Sequence, residues 1–356
     1  MGNNKKILIM AGGTGGHIFP ALAIASALKN AGFDILWLGT RGRMEEKLVP
    51  QYGYPIRYID VRGIRRNGLW AKLSAPFMVA GALRGALAVL KEFKPDVVLG
   101  MGGYASGPGG LAAWLKHIPL VLHEQNAAAG LTNRILSRFA SAVMLGFPGA
   151  FSGPKVTVTG NPLREVIIAL HGRPRDFSKS VIRIFILGGS LGARALNETV
   201  PAALLKAGDG FEVIHQCGAG NHEAVEKLYA GASFKVTVSD FIDDMAGTYS
   251  KADLIICRAG ASTVAEVACA GLPAIFVPLP SAVDDHQTKN ALFLKEAGAA
   301  EIMPQAQLTP ETLAAKVQQL FSSRDKLAEM SQQATLHALV NATDRAVKII
   351  ESFIKK

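Results

Sequence analysis

The sequence predicts an α/β protein built from two doubly wound parallel-sheet domains in tandem. Three observations predict it. Short apolar runs alternate with longer helical patterns along the chain. The alternation restarts after Pro162. Each half places a glycine-rich turn directly after its first apolar run. Strand–helix alternation of this kind gives parallel sheets covered by helices on both faces.

In order, the candidate strands of the first half are Lys6–Met10, Asp34–Leu38, Ile56–Ile59, Val97–Leu99, Leu120–Leu122, Ala142–Leu145 and Val156–Thr159. Those of the second half are Ile182–Leu187, Glu212–His215, Lys235–Val238, Leu254–Ile256 and Ala274–Val277. The first domain is expected over 1–162 and the second over 163–340. A final amphipathic helix within 341–356, with Ala346, Ile349, Ile350 and Phe353 on one face, is expected to pack back on the first domain. The opening run Ile7–Met10 leads straight into glycines and reads as a strand rather than a leader peptide. The longest apolar stretch, Ala75–Leu90, is interrupted by Arg84 and is too short to span a bilayer.

The 356 residues suit two domains, and 49% hydrophobic content allows each a real core. The net charge of +10 is confined to one half. Residues 1–160 hold 18 basic and 7 acidic side chains, whereas 161–356 hold 20 and 21. Such a basic half suits anionic lipid, a phosphorylated substrate or nucleic acid. Cys217, Cys257 and Cys269 show no metal or redox spacing and read as buried thiols.

The first glycine turn is Gly12-Gly13-Thr14-Gly15-Gly16-His17, and its counterpart is Gly188-Gly189-Ser190-Leu191-Gly192. A glycine turn opening a helix offers backbone N–H groups and the positive end of a dipole to an anion. Neither spells GxGxxG, and neither second strand ends in the acid that a dinucleotide ribose needs, which speaks against a nicotinamide or flavin site. GxxxxGK[ST] is absent too. A third cluster, Gly102-Gly103-Tyr104, follows the fourth strand. Together with Gly12 and Gly13 it suits an acceptor diphosphate held in the basic domain. In the second half, Ala261-Ser262-Thr263-Val264-Ala265-Glu266 opens a helix fit for a phosphate, with Glu266 in reach of a ribose. Gln287 stands in a polar helix start suited to sugar hydroxyls.

His17 places an imidazole at a helix N-terminus, where the dipole disfavours protonation and leaves the ring a candidate general base. His123-Glu124-Gln125-Asn126 follows an apolar strand at the same carboxyl-end level, making Glu124 a second candidate base. No Asp-x-Asp metal motif accompanies them, which points to metal-independent chemistry with helix N-termini and arginine carrying a leaving diphosphate.

Gly12–Pro20, Gly102–Gly110, His123–Asn133, Gly160–Arg164, Gly188–Asn197, Phe241–Met245, Cys257–Pro273 and Asp285–Asn290 occur in order over nearly the whole chain. In them the sequence resembles glycosyltransferase family 28, specifically its bacterial N-acetylglucosaminyltransferases acting on lipid-linked muramyl peptides. The resemblance implies a GT-B fold, with two Rossmann-like domains facing across a cleft. It implies an inverting, cofactor-free transfer from UDP-GlcNAc to a lipid-linked muramyl-pentapeptide acceptor in peptidoglycan synthesis. Thr14, Gly15, Gly16 and Asn126 would lie at the donor sugar and diphosphate, and Arg164 and Ser190 at the diphosphate. Ile242 would meet the uracil, Ala261 to Glu266 the phosphate and ribose, and Gln287 the sugar. Leu191 departs from the glutamine common in the family, so no side-chain contact is carried over there.

Arg65 and Arg66 precede Leu69, Trp70, Leu73 and Phe77 at helical spacing, while Val79, Leu83, Leu87 and Leu90 form a stripe for the core. The first stripe suits peripheral contact with anionic lipid at the cytoplasmic face of the inner membrane. A UDP-GlcNAc 2-epimerase would need no such face. A basic nucleic-acid module would leave the glycine loops, His17 and Glu266 unexplained, so no nucleic-acid partner is expected.

Overall fold

The computed structural model describes residues 5–61, 69–189 and 192–354, and side chains from 78 onward within the helix that begins at Leu69. The chain divides into two compact units: Met1–Arg164 with Val340–Lys356, and Glu165–Leu339. The division falls after Arg164, just beyond the expected Pro162.

The first unit contains strands β1 (Lys6–Ala11), β2 (Asp34–Gly39), β3 (Ile56–Tyr58), β4 (Val97–Gly102), β5 (Leu120–Glu124), β6 (Ala142–Leu145) and β7 (Val156–Val158). They form one parallel sheet in the order β3-β2-β1-β4-β5-β6-β7. Helices α1 (Gly15–Asn30), α2 (Met44–Gln51), α3 (Leu69–Phe93), α4 (Ser106–Leu115) and α5 (Leu131–Leu136) make the connections. Ile7, Leu8, Ile9 and Met10 are all fully buried, because helices cover both faces of the sheet and leave no side for polar residues.

The second unit contains β8 (Ile182–Leu187), β9 (Phe211–Gln216), β10 (Val236–Ser239), β11 (Leu254–Cys257), β12 (Ala274–Phe276) and β13 (Ala300–Ile302), again all parallel, in the order β10-β9-β8-β11-β12-β13. Its helices are α6 (Glu165–Ile168), α7 (Arg194–Ala207), α8 (His222–Leu228), α9 (Met245–Lys251), α10 (Ala261–Cys269), α11 (His286–Glu296), α12 (Pro310–Phe321) and α13 (Arg324–His337). Strand β13 is absent from the sequence expectation, since three residues with Glu301 at the centre make no apolar run. The final helix α14 (Ala342–Glu351) packs on α1, with Ala346 and Ile350 in the first unit's core and Ile349 and Phe353 beside it.

Each strand order reverses direction at one point, between β1 and β4 in the first unit and between β8 and β11 in the second. Ligands of doubly wound sheets bind outside the carboxyl ends of the strands at that point. The glycine turns after β1, β4 and β8, and the turn after β11, all stand there.

Among the expected lipid-facing residues, Arg65 and Arg66 lie outside the described residues, and so do the side chains of Leu69, Trp70, Leu73 and Phe77. In the core stripe, Leu83, Leu87 and Leu90 contact the core, but Val79 is 37% exposed. All three cysteines are buried and unpaired. No helix among the described residues is long and apolar enough to cross a membrane.

Candidate active site

In the first unit the chain leaves β1 through Gly12, Gly13 and the N-cap Thr14 and enters α1. Gly13 has φ +90°, the left-handed region that glycine tolerates. Beneath the turn lies Glu45, 1% exposed. Its Oε2 accepts from Gly13 N–H at 2.9 Å, and its Oε1 from Thr40 N–H at 3.2 Å and Thr40 Oγ1 at 2.8 Å. A Cβ on Gly12 would strike this carboxylate. Of the two glycines expected at an acceptor diphosphate, Gly13 has its N–H engaged by Glu45. Glu45 thus ties the turn to Thr40 from below. The N–H groups of Gly15 and Gly16, in the first turn of α1 where no intrahelical carbonyl reaches them, remain donors.

Gly102 and Gly103 are likewise explained by packing. Both have positive φ, +106° and +94°. A Cβ on Gly103 would stand 2.7–3.0 Å from Gly12 backbone atoms, and one on Gly102 would stand 2.9–3.2 Å from the His17 ring. These glycines exist so that the β4 turn can lie against the β1 turn. Tyr104 is exposed, with the Arg43 guanidinium over its ring at 5.2 Å.

His17 is half-buried at the start of α1. Its Nδ1 lies 2.8 Å from Gln125 Oε1. Gln125 Nε2 lies 3.1 Å from His123 Nδ1, and His123 Nε2 lies 3.0 Å from the Gly160 carbonyl oxygen. Burial lowers the His123 pKa to about 4, so this ring is neutral. Asn161 Nδ2 donates to Gln125 O at 3.0 Å and fixes the backbone of the same turn.

Glu124 is 2% exposed. Its Oε1 accepts from Asn126 N–H and Asn126 Nδ2, both at 3.2 Å; its Oε2 accepts from Gly130 N–H at 3.0 Å and Asn133 Nδ2 at 2.9 Å. Two carboxylate oxygens offer about four lone pairs, and four donors occupy them. Glu124, the alternative base expected from the sequence, thus holds Asn126 and the start of α5 in place. Arg164 closes the unit with its guanidinium 6.0 Å from the Phe19 ring centroid.

In the second unit a cavity of about 680 Å³ opens at the β8–β11 switch point, lined by Gly188, Gly189, Gly192, Arg258, Gln287 and Gln305 among others. That volume lies within the usual range for ligand pockets, roughly 300–1,000 Å³. Gln216, at the end of β9, braces the glycine turn: Oε1 accepts from Gly189 N–H at 2.8 Å, and Nε2 donates to Gly189 O at 3.0 Å and Asp240 O at 2.7 Å. A dinucleotide fold would carry a ribose-binding acid at this strand end; here an amide turns back onto the loop instead. Arg258 is held by Val277 O at 3.0 Å, Pro278 O at 3.2 Å and Gln305 Oε1 at 2.6 Å.

Helix α10 begins after Gly260 with the N–H groups of Ala261, Ser262 and Thr263 at its positive end. Ser262 Oγ is buried and has no hydrogen-bond partner among the described residues. Val264 is turned wholly into the core and its N–H is bonded to Gly260 O at 2.9 Å, so neither its side chain nor its N–H reaches outward as expected. Ala265 is half-buried on the same helix, and Glu266 accepts from Tyr249 Oη at 2.9 Å. Ile242 is half-buried beyond β10. Gln287 accepts from Leu279 N–H at 2.9 Å and follows Asp284 and Asp285, whose φ values of +53° and +51° store strain at this corner. Ser190 lies outside the described residues.

Comparison with known proteins places these features in context. Residues 7–145 match the model of the glycosyltransferase family 28 N-terminal domain, and residues 183–348 that of the family 28 C-terminal domain. An Aeromonas hydrophila protein is 55% identical over 96% of this chain and 95% of its own. One from Shewanella oneidensis is 50% identical over 99% and 98%. Both are named UDP-N-acetylglucosamine–N-acetylmuramyl-(pentapeptide) pyrophosphoryl-undecaprenol N-acetylglucosamine transferase. The crystal structure of Acinetobacter baumannii MurG superposes with a TM-score of 0.85 at 46% identity, covering 98% of this chain and 99% of that one. A Listeria monocytogenes protein described as a UDP-N-acetylglucosamine 2-epimerase shares the fold at a TM-score of 0.71 and 16% identity, covering 98% and 96%.

Proposed function

Because this chain belongs to glycosyltransferase family 28, we propose that it transfers N-acetylglucosamine from UDP-GlcNAc to the C4 hydroxyl of undecaprenyl-pyrophosphoryl-MurNAc-pentapeptide, forming lipid II and releasing UDP. The observation that carries this reading is 55% identity to a transferase of that name over 96% of the chain. The fold is GT-B, as in the solved relative at TM-score 0.85.

The acceptor oxygen attacks C1 of the donor sugar as the C1–O bond to the β-phosphate breaks. The hydroxyl proton passes to His17 Nε2, the bond's electron pair leaves with UDP, and the anomeric centre inverts. The first unit supplies the base, with Thr14, Gly15, Gly16, Asn126 and Arg164 as further contacts to the donor. The second unit receives the nucleotide. The α10 N–H groups, Ser262, Thr263 and Arg258 carry the diphosphate's charge, Ser190 lies beside it, Glu266 binds ribose, Ile242 meets uracil and Gln287 meets the sugar. Helix N-termini and arginine stabilise a leaving anion because their dipoles are fixed before the reaction begins.

Peripheral attachment to the inner membrane's cytoplasmic face is part of the same reading. Trp114, Leu115, Leu131 and Ile135, on α4 and α5, are 44–49% exposed. Lys116, Arg134 and Arg138 belong to the same two helices and the turns that follow them, and from Val97 to Arg164 the sequence has one acid, the buried Glu124. An apolar face rimmed by cations fits anionic lipid. Trp114→Glu with Ile135→Glu should lower binding to anionic vesicles; binding equal to the parent protein would end this part of the reading.

The function is tested by incubating labelled UDP-GlcNAc with and without the lipid-linked muramyl acceptor. Acceptor-dependent UDP release is expected. UDP-ManNAc formed without acceptor would replace the reading with an epimerase. His17→Ala should cut turnover by at least ~100-fold while UDP binding persists. A near-normal rate would remove His17 from the mechanism.

A further inference from the structure

The first unit carries a chain of hydrogen bonds that ends on the His17 ring. Its polarity can be derived from the far end. His123 Nε2 faces the carbonyl oxygen of Gly160 at 3.0 Å, and a carbonyl only accepts. The hydrogen therefore sits on His123 Nε2. His123 is 0% exposed and neutral, so its Nδ1 is a bare lone pair. The group of Gln125 that meets this lone pair at 3.1 Å must be the NH2, and the same NH2 donates to the His123 carbonyl at 3.2 Å. The opposite amide orientation would press the Gln125 oxygen against two acceptors at once. Gln125 Oε1 consequently points at His17 Nδ1, 2.8 Å away, and it only accepts.

We infer that Gln125 and His123 are positioning residues that hold the uncharged form of the His17 ring in the Nδ1–H tautomer, leaving the Nε2 lone pair to receive a substrate proton. A free imidazole holds no such fixed polarity. Here it is imposed by a backbone carbonyl at the end of a three-side-chain relay. The ring is also held laterally, since Gly102 lies against it with no room for a side chain. Gln125 is 1% exposed, and Asn161 Nδ2 ties its carbonyl at 3.0 Å, so the relay has little freedom to rotate. The catalytic consequence rests on the reading of His17 as the base, whereas the tautomer itself does not.

The test uses full-length protein labelled with 15N-histidine. Two-bond 1H–15N correlation at pH 7.5, with the His17 signals identified by their loss in His17→Ala, reports which ring nitrogen carries the proton. A protonated Nδ1 and an unprotonated Nε2 are expected. The Nε2–H pattern in the parent protein would overturn the inference directly, without any variant. Gln125→Leu should mix the two tautomers and lower kcat by at least ~10-fold, with KM for UDP-GlcNAc within about twofold. An unchanged His17 spectrum and kcat in Gln125→Leu would also overturn it. If His17→Ala keeps full turnover while the parent spectrum shows Nδ1–H, the base reading falls and the tautomer assignment stands.

Discussion

The two glycine turns that follow β1 and β8 begin from the same local design and end in different uses. Each leaves the first strand of a doubly wound sheet, opens a helix and sits at a switch point. Each is braced from below by one buried polar side chain. Under the first turn that brace is the Glu45 carboxylate, which takes the Gly13 N–H. Under the second it is the Gln216 amide, which both gives to and takes from Gly189. A carboxylate consumes the positive potential of the turn, whereas a neutral amide leaves it for a ligand. The first turn therefore leads into the helix that carries His17, and the second, with its neutral brace, lines the cavity at the β8–β11 switch point. Glycine placement alone does not separate the two cases; the charge of the brace does.

The largest effect expected is one the two units share. Each buries one neutral histidine at the end of a strand: His123 on β5, and His215 on β9 between Tyr229 Oη at 2.9 Å and Asn197 Oδ1 at 3.1 Å. Burial lowers both pKa values from 6.5 to about 4. Below pH 6.5 the unfolded chain takes up protons that the folded chain refuses until about pH 4. Stability is thus fully present above pH 6.5 and is lost as pH falls through that window, by about 2 kcal/mol per histidine between pH 6.5 and 5. Urea unfolding at pH 7 and pH 5 measures this. His215→Gln should remove the second unit's share and leave the first unit's. An unaltered pH dependence in that variant would show that the histidines do not set it.

The fold is legible in the sequence because parallel strands buried on both faces read as unbroken apolar runs. Ile7–Met10 and Ile182–Leu187 are such runs, while β13 with its central Glu301 is not. His17 is legible because its place follows from strand, turn and helix alone. The braces are not. Glu45 and Glu46 stand side by side in the first turn of α2, and both read as acids complementing a helix dipole. Only the sheet packed against α2 makes Glu45 buried. Gln125 and Gln216 sit at strand ends where a polar residue carries no direction, and their partners come from 108 and 27 residues away. Gly102 and Gly103 carry a packing role that the sequence does not display. A turn kept bare for a phosphate and one kept bare for a neighbouring backbone use the same letters.

The comparison is sharpest when the two braces are removed in parallel. Glu45→Ala strands the Gly13 and Thr40 N–H groups, and should cost about 2–3 kcal/mol of stability in urea unfolding, from unsatisfied buried donors. It should lower kcat through displacement of His17, with UDP affinity by calorimetry little changed. Gln216→Leu leaves both polar groups of Gly189 and the Asp240 carbonyl without this partner. Because the turn stays anchored through Gly192 N–H to Gly189 O at 2.9 Å and Gly188 N–H to Gln216 O at 2.9 Å, the effect should be smaller. About tenfold weaker UDP binding is expected, equivalent to about 1.4 kcal/mol, with kcat at saturating donor near the parent value. A crossed pattern of this kind is what the proposed base on the first turn and the proposed anion seat on the second require. Were Glu45→Ala to weaken UDP and Gln216→Leu to spare it, the division of labour between the turns would be reversed.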